Sequence, residues 1–327
     1  MLKQEIFTVN QHSFERIALQ VFKYQHEHNL LYRQYCQTLK IAVSSVDAIC
    51  KIPFLPISFF KTHTVVSTQF SPAAIFESSG TTNSINSKHY VKDLDLYEES
   101  FITTFKQFYG NAADWCILAL LPSYLERNNS SLVVMANQLI KQSNHTKSGF
   151  YLHNTNELKD TLLTLESQHQ KTLLIGVTFA LLDFADEFAM PLQHTTIMET
   201  GGMKGRREEM TREQVHHALK VAFNAPSIHS EYGMTELLSQ AYSYGQGIFR
   251  TPPWMKVFLR EEDDPFAIHF AGANIKSGAV NIIDLANLYS CSFIATEDAG
   301  KLHTDGSFEI IGRLDNTTIR GCSLMAV

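Results

Sequence analysis

A chain of 327 residues, 44% apolar and 18% charged, has the make-up of a folded protein large enough for one catalytic unit with sub-lobes, which excludes disorder. A net charge of −6, with lysine and arginine scattered along the chain, produces a field that repels nucleic acid and excludes a DNA- or RNA-binding role. The start Met1-Leu2-Lys3-Gln4-Glu5 lacks a signal peptide's apolar run, no stretch approaches the roughly 20 apolar residues of a transmembrane segment, and a cytoplasmic location is expected. Five cysteines, Cys36, Cys50, Cys116, Cys291 and Cys322, show no CxxC spacing, which argues against a zinc site and a disulfide framework.

In chain order, Phe14, Ile17, Ala18, Val21 and Phe22 recur at i, i+3, i+4, i+7 and i+8 and predict a helix with one buried face. Residues 52–60, with Pro53 and Pro56 among bulky apolar side chains, read as an ordered linker into the catalytic part. Ile75-Phe76-Glu77 reads as a strand running into a hydroxyl-rich turn of Ser78, Ser79, Gly80, Thr81 and Thr82. Strand-like runs at 116–121, 172–177 and 195–198 alternate with helical patterns at 131–141, 156–165 and 211–223, the last opening on a capping box of Thr211 with Gln214. This alternation predicts an α/β fold in which helices cover a sheet. After Gly245, short apolar runs at 254–259, 279–283, 292–295 and 308–311 are separated by Gly, Asp and Asn and predict a β-rich sub-lobe. The expected division is a helical N-terminal part over 1–70, an α/β core over 71–245 and the β-rich sub-lobe over 246–327.

Three motifs carry chemistry. Ser230-Glu231-Tyr232-Gly233-Met234-Thr235-Glu236 sets an aromatic ring, a hydroxyl and a carboxylate around one glycine. Such a set suits a nucleotide and its metal: the ring stacks on a purine, the hydroxyl bonds a phosphate oxygen and the carboxylate holds Mg²⁺. A strand-to-helix turn with Gly233 relieving backbone strain is the competing reading. The turn at Ser78 to Thr82 presents N–H groups and hydroxyls to phosphate oxygens and is not a Walker A loop. Thr296-Glu297-Asp298-Ala299-Gly300, Asp305-Gly306 and Gly312-Arg313-Leu314-Asp315 offer an aspartate for ribose hydroxyls and an arginine nearby.

In this order the three segments resemble the adenylate-forming superfamily of acyl-CoA synthetases, luciferases and phenylacetate-CoA ligase-like enzymes. Leu121-Pro122-Ser123-Tyr124-Leu125-Glu126-Arg127 before Ser130-Ser131-Leu132, Thr200-Gly201-Gly202-Met203-Lys204-Gly205-Arg206-Arg207, and Arg320-Gly321-Cys322-Ser323-Leu324 look like its long-chain acyl-protein synthetase (LuxE-type) branch, and the resemblance runs from about residue 52 to the end. It implies the superfamily's N-terminal catalytic domain, with ATP as substrate and Mg²⁺ as cofactor. Ser78, Ser79, Gly80, Thr81 and Thr82 would form the phosphate loop, Thr235 would bind the α-phosphate and Glu236 would hold the metal. Gly201 and Gly202 would let the backbone approach adenine, Tyr232 would stack on it beside Gly233, and Asp298 with Arg313 would hold the ribose.

The chain departs from the superfamily's pattern at Asn83, where a glycine is usual, and at Lys88, which lies out of register for the frequent lysine. It ends twelve residues after Asp315, so no C-terminal lid domain is expected. The acyl acceptor implied by the resemblance is Cys322, with Arg320 beside it to favour the thiolate. The resulting function is a long-chain fatty acid to protein ligase, handing its acyl group to a fatty-acyl reductase or carrier protein. A phenylacetate-CoA ligase-like enzyme and a degenerate nucleotide-binding subunit are the alternatives. Among the remaining residues, Cys36, Cys50, Cys116 and Cys291 read as core, His229 as a structural histidine and His216-His217 as a solvated helix face. Glu126-Arg127 suits a local ion pair as readily as a functional one, and Lys204, Arg206 and Arg207 read equally as a solvated basic loop or as residues that draw in an anionic substrate or partner.

Overall fold

The apolar stripe that opens at Phe14 folds as a helix whose predicted face, Phe14, Ile17, Ala18, Val21 and Phe22, is buried. The computed structural model describes residues 2–78, 85–122, 126–201, 207–208, 210–261 and 264–314. Its elements begin with α1 (Leu2–Ile6), α2 (Phe14–His28) and α3 (Leu30–Thr38), where Asn29 ends α2 and caps α3 by accepting from the Tyr32 N–H. Residues 52–60 are more than a linker. They supply β1 (Leu55–Pro56), which pairs in parallel with residues 294–295, and the short helix α4 (Phe59–Thr62). Prolines fit here because β1 is a two-residue strand at a sheet edge.

A hairpin of β2 (Ala74–Glu77) and β3 (Lys88–Val91) leads into α5 (Leu94–Tyr109), capped by Asp93 and ended by Gly110 at φ 84°. Then come β4 (Cys116–Leu120), α6 (Ser131–Ser143), β5 (Gly149–Phe150), α7 (Thr155–Ser167), β6 (Thr172–Val177), α8 (Thr178–Glu187), β7 (Thr195–Thr200), α9 (Arg212–Phe223), β8 (His229–Tyr232) and β9 (Ala241–Ser243). The strands order as β5-β4-β6-β7-β8-β9, parallel except for the last pair. Every residue of β4 and β6 is buried, as expected of central parallel strands covered on both faces. The Thr211–Gln214 capping box forms as read from the sequence.

The remaining strands are β10 (Met255–Arg260), β11 (Ile268–His269), β12 (Lys276–Asp284), β13 (Phe293–Leu302) and β14 (Phe308–Arg313). They make a second sheet, β1-β13-β12-β10-β11 with β14 on β13, antiparallel apart from β1. Helices α2 and α3 lie against it: Phe293 on β13 stacks with Tyr32 at 6.0 Å and meets Phe22 at 6.2 Å. Among the described residues no helix is long and apolar enough to cross a membrane.

Candidate functional site

Strand β8 delivers Tyr232 to the seam between the two sheets. There its hydroxyl donates to Asp298 Oδ2 at 2.8 Å, and its ring packs edge-on to Phe308 at 5.5 Å and lies 5.8 Å from Phe249. Asp298 on β13 stands in register with Arg313 on β14, the guanidinium Nε lying 3.7 Å from Oδ1. Burial raises the Asp298 carboxyl above the usual range, while Tyr232 and Arg313 pull it back. The arginine side chain is 80% exposed, so it reaches solvent without leaving the carboxylate's neighbourhood. Three residues far apart in sequence thus meet at one point.

Beyond Tyr232 the chain turns through Gly233 to Thr235 and Glu236. Gly233 does not adopt a positive φ, and the segment returns as β9 rather than entering a helix, so the strand-to-helix reading is corrected. The glycine leaves room for the Glu231 carboxyl: a Cβ at this position would lie 2.5 Å from Oε1, so a side chain here would push that carboxyl aside. Glu236 is buried, and burial raises its pKa; a hydrogen bond with the Ser87 hydroxyl, then the charges of Lys61 and Arg313, lower it again. The Thr235 carbonyl accepts from His89 Nδ1 at 2.9 Å, which fixes the proton on that nitrogen. Burial pushes the His89 pKa down to about 4, so the imidazole is neutral.

The β2–β3 hairpin brings its own motif to the same place. The Ser87 N–H donates to Ser78 Oγ at 2.9 Å and the Ser78 N–H to the Ser87 carbonyl at 3.1 Å, closing the stem of the hydroxyl-rich turn beside Glu236. Ser79, Gly80, Thr81 and Thr82 lie outside the described residues, as do Asn83, Gly202, Lys204, Arg206 and Cys322. Gly201 ends β7 at φ 71°, and its carbonyl accepts from Thr178 Oγ1 at 2.7 Å. That left-handed conformation is one that glycine adopts without penalty.

A support absent from the sequence reading lies behind Glu236. Asp284, fully buried at the end of β12, accepts from the N–H groups of Leu238 (2.8 Å), Ser239 (3.0 Å) and Ala286 (3.1 Å) and from Ser239 Oγ (2.6 Å). Asn287 Nδ2 donates to the Glu236 carbonyl at 2.7 Å, and Trp254 Nε1 donates to Ser239 Oγ at 3.0 Å and Ser100 Oγ at 3.2 Å. The available signal was an aspartate closing an apolar run ahead of Leu285-Ala286-Asn287, the pattern of a short helical cap.

Two expectations are corrected, those for His216 and Cys50. His216 is buried, bonded to Ser230 Oγ at 3.2 Å and 3.6 Å from Glu199; only His217 has the expected exposure. Cys50 is exposed, since a single 3₁₀ turn buries Ile49 and leaves its neighbour outside, whereas Cys36, Cys116 and Cys291 are core. Glu126 meets His153 at 2.8 Å. Lys88 sits 3.6 Å from Glu77 on the facing strand. His229 fits the structural reading through Tyr109, whose hydroxyl lies 3.2 Å from Nδ1.

Among the described residues no three His, Cys, Asp or Glu side chains converge as a metal cage. A cation here would be held by the Glu236 carboxylate and by oxygens of its ligand, which is how Mg²⁺ is commonly bound alongside phosphates. The buried oxygen donor of Glu236 fits that hard cation.

Comparison with known proteins bears on the family and the fold. A model of the acyl-protein synthetase family LuxE matches residues 7–326. No curated protein sequence matches the chain. The crystal structure of 2-hydroxyisobutyryl-CoA ligase in its postadenylation state is similar with a TM-score of 0.65 and 11% identity, over 97% of this chain and 72% of the ligase. ATP-bound MatB from Rhodopseudomonas palustris is similar with a TM-score of 0.53 and 15% identity, over 76% of this chain. The chain spans 50% of the MatB length. At such identities the likeness shows the fold alone, a mixed α/β architecture shared with these ligases, and no lid domain stands among the described residues. With a family match from residue 7 to residue 326 on that fold, the chain belongs to the LuxE acyl-protein synthetase family.

Proposed function

We propose that this protein activates a long-chain fatty acid as its acyl-adenylate and transfers the acyl group to a protein thiol. A carboxylate resists nucleophilic attack because it is anionic and has only oxide to expel. Attack of its oxygen on the α-phosphorus of ATP releases pyrophosphate and leaves a mixed anhydride, from which a thiolate displaces AMP. Catalysis of this kind is positioning and charge neutralisation.

In this reading Tyr232 and Gly201 border the adenine, while Asp298 and Arg313 hold the ribose. Ser78, Ser79, Gly80, Thr81 and Thr82 hold the phosphates with Thr235, and Gly202 and Gly233 leave room for the nucleotide. Mg²⁺ at Glu236 would neutralise phosphate charge. Neutral His89 holds the Thr235 carbonyl, so the hydroxyl beside it keeps its place. Cys322 is the proposed acyl carrier, and a reductase or carrier protein the eventual acceptor. The observation that carries the proposal is the meeting of Tyr232, Asp298 and Arg313 at one point, with Ser78 tied to Ser87 and Ser87 to Glu236 close by.

The test is ATP–pyrophosphate exchange with a panel of fatty acids, followed by intact-protein mass. Exchange that needs acid and Mg²⁺ is expected, together with a fatty-acyl mass gain that neutral hydroxylamine removes and Cys322→Ser lacks. ATP binding without exchange would overturn the adenylation step. Exchange without a mass adduct would overturn self-acylation and leave the acceptor to another molecule.

A further inference from the structure

The two faces of β8 differ in a way the proposed reaction does not use. Tyr232 faces Asp298. Glu231 points to the other side of the sheet, where it pairs in register with Thr200 on β7 and Tyr242 on β9. Gln240, two residues before Tyr242, shares that side, and its Cγ lies 3.5 Å from a Cβ built on Gly233. Glu231 is buried, with its Oε2 accepting from Thr200 Oγ1 and its Oε1 lying over Gly233. Tyr97 and Tyr109 from α5, Tyr242 and Glu199 are the titratable groups in its electrostatic range. Gln240 is 4% exposed, and its Oε1 has no hydrogen-bond partner among the described residues.

A buried amide oxygen left without a donor is rare in a folded protein and marks a place where a ligand group can complete the set. The location suits the acyl half of an adenylate. With adenosine on the Tyr232 side and phosphate at Thr235, the acyl group leaves past Gly233 toward Glu231 and Gln240, at the C-terminal ends of the parallel strands. Burial also pushes the Glu231 carboxyl up to about 7, so near neutrality a protonated form is present that can donate a hydrogen bond.

We infer that Glu231 and Gln240 are the specificity-determining pair of this site, and that they select an acid bearing a hydroxyl on one of the carbons next to its carboxyl group. The inference rests on the adenylation reading and narrows its substrate to hydroxylated fatty acids. Such a hydroxyl donates to Gln240 Oε1 and accepts from the Glu231 carboxyl. An unsubstituted acid leaves Gln240 Oε1 buried and unpaired and gives the Glu231 carboxyl nothing beyond its Thr200 partner, the condition under which sites built for a hydroxyl reject analogues lacking it.

The test is kcat/KM for ATP–pyrophosphate exchange on acids of one chain length: unsubstituted, 2-hydroxy, 3-hydroxy and 3-oxo. Wild type is expected to favour one hydroxy acid over the unsubstituted and oxo acids by on the order of 100-fold. In Gln240→Leu that ratio should fall at least ten-fold, whereas the near-isosteric Glu231→Gln should keep most of it. Equal use of hydroxylated and unsubstituted acids by wild type, or an unchanged ratio in Gln240→Leu, would overturn the selector while leaving adenylation intact. Exchange with none of the acids would overturn both.

Discussion

Asp284 and Glu231 are both buried carboxyls, yet their surroundings assign them different work. Four donors converge on Asp284, so burial lifts it only to about 6, and it serves as the anchor of the turn after Glu236. Glu231 has the Thr200 hydroxyl as its hydrogen-bond donor and Glu199 as an anionic neighbour, and it rises to about 7. A carboxyl whose folded pKa exceeds its unfolded value stabilises the fold most below the unfolded value and loses that contribution as pH rises through the folded one. From the ordinary carboxyl value of 4.5 to about 7, the loss on passing from pH 5 to pH 8 is about 2.5 kcal/mol. Glu231→Gln keeps an acceptor for Thr200 and carries no charge. Urea denaturation at pH 5 and pH 8 should therefore show the variant gaining on wild type by about that amount at the higher pH. An equal pH response in the two proteins would mean that Glu231 is ionised at no cost.

At the scale of elements, α2 reaches the site without touching it. Gln25 is fully buried, and its amide nitrogen donates to the carbonyls of Asn287 (2.9 Å) and Leu288 (3.0 Å) and to Ser292 Oγ (3.1 Å), while its oxygen accepts from the Ser292 N–H (2.9 Å). The same Asn287 holds the Glu236 carbonyl. Gln25→Leu should cost about 2–3 kcal/mol through the unpaired backbone groups it leaves, read as a lower urea midpoint. It should also speed amide exchange across 285–292, and unchanged exchange there would show that the helix does not brace this turn.

How far such elements can be read beforehand follows from their own residues. Strands β4, β6 and β7 fall on the predicted apolar runs because both faces are covered, and α9 announces itself through Thr211 and Gln214. Helix α8 escaped because β6 passes into it with no loop between, and after Thr178 the apolar residues resume at Phe179-Ala180-Leu181-Leu182. Helix α5 was hidden by its aromatic and β-branched residues, although Tyr97, Phe101 and Phe105 recur at i+4. In the site, the motif residues were legible because each has chemistry of its own. Asp284, Asn287 and His89 were not, since their roles come from partners on other elements.

In the whole molecule, the candidate site occupies the seam of two sheets, and Tyr232 bonding to Asp298 spans it. The antiparallel sheet is covered by the N-terminal helices through Phe22 and Tyr32. Removing residues 2–38 would uncover Phe293 and its neighbours, which Phe22 and Tyr32 now cover, at about 25 cal/mol for each Å² of apolar surface exposed. The truncated chain is expected to be insoluble or to lose its cooperative melting transition. A soluble variant with a sharp transition would show that the helices lie outside the cooperative unit.

The chain has two tryptophans, and they are placed unequally. Trp115 lies under the ammonium of Lys171 at 4.0 Å, whereas Trp254 is 2% exposed and donates to the serine that Asp284 holds behind Glu236. Indole fluorescence shifts with the polarity and hydrogen bonding around the ring, so Trp254 is a built-in optical reporter of that turn. With Trp115 replaced by phenylalanine, the protein's own emission would follow occupancy of the site in real time, without a label.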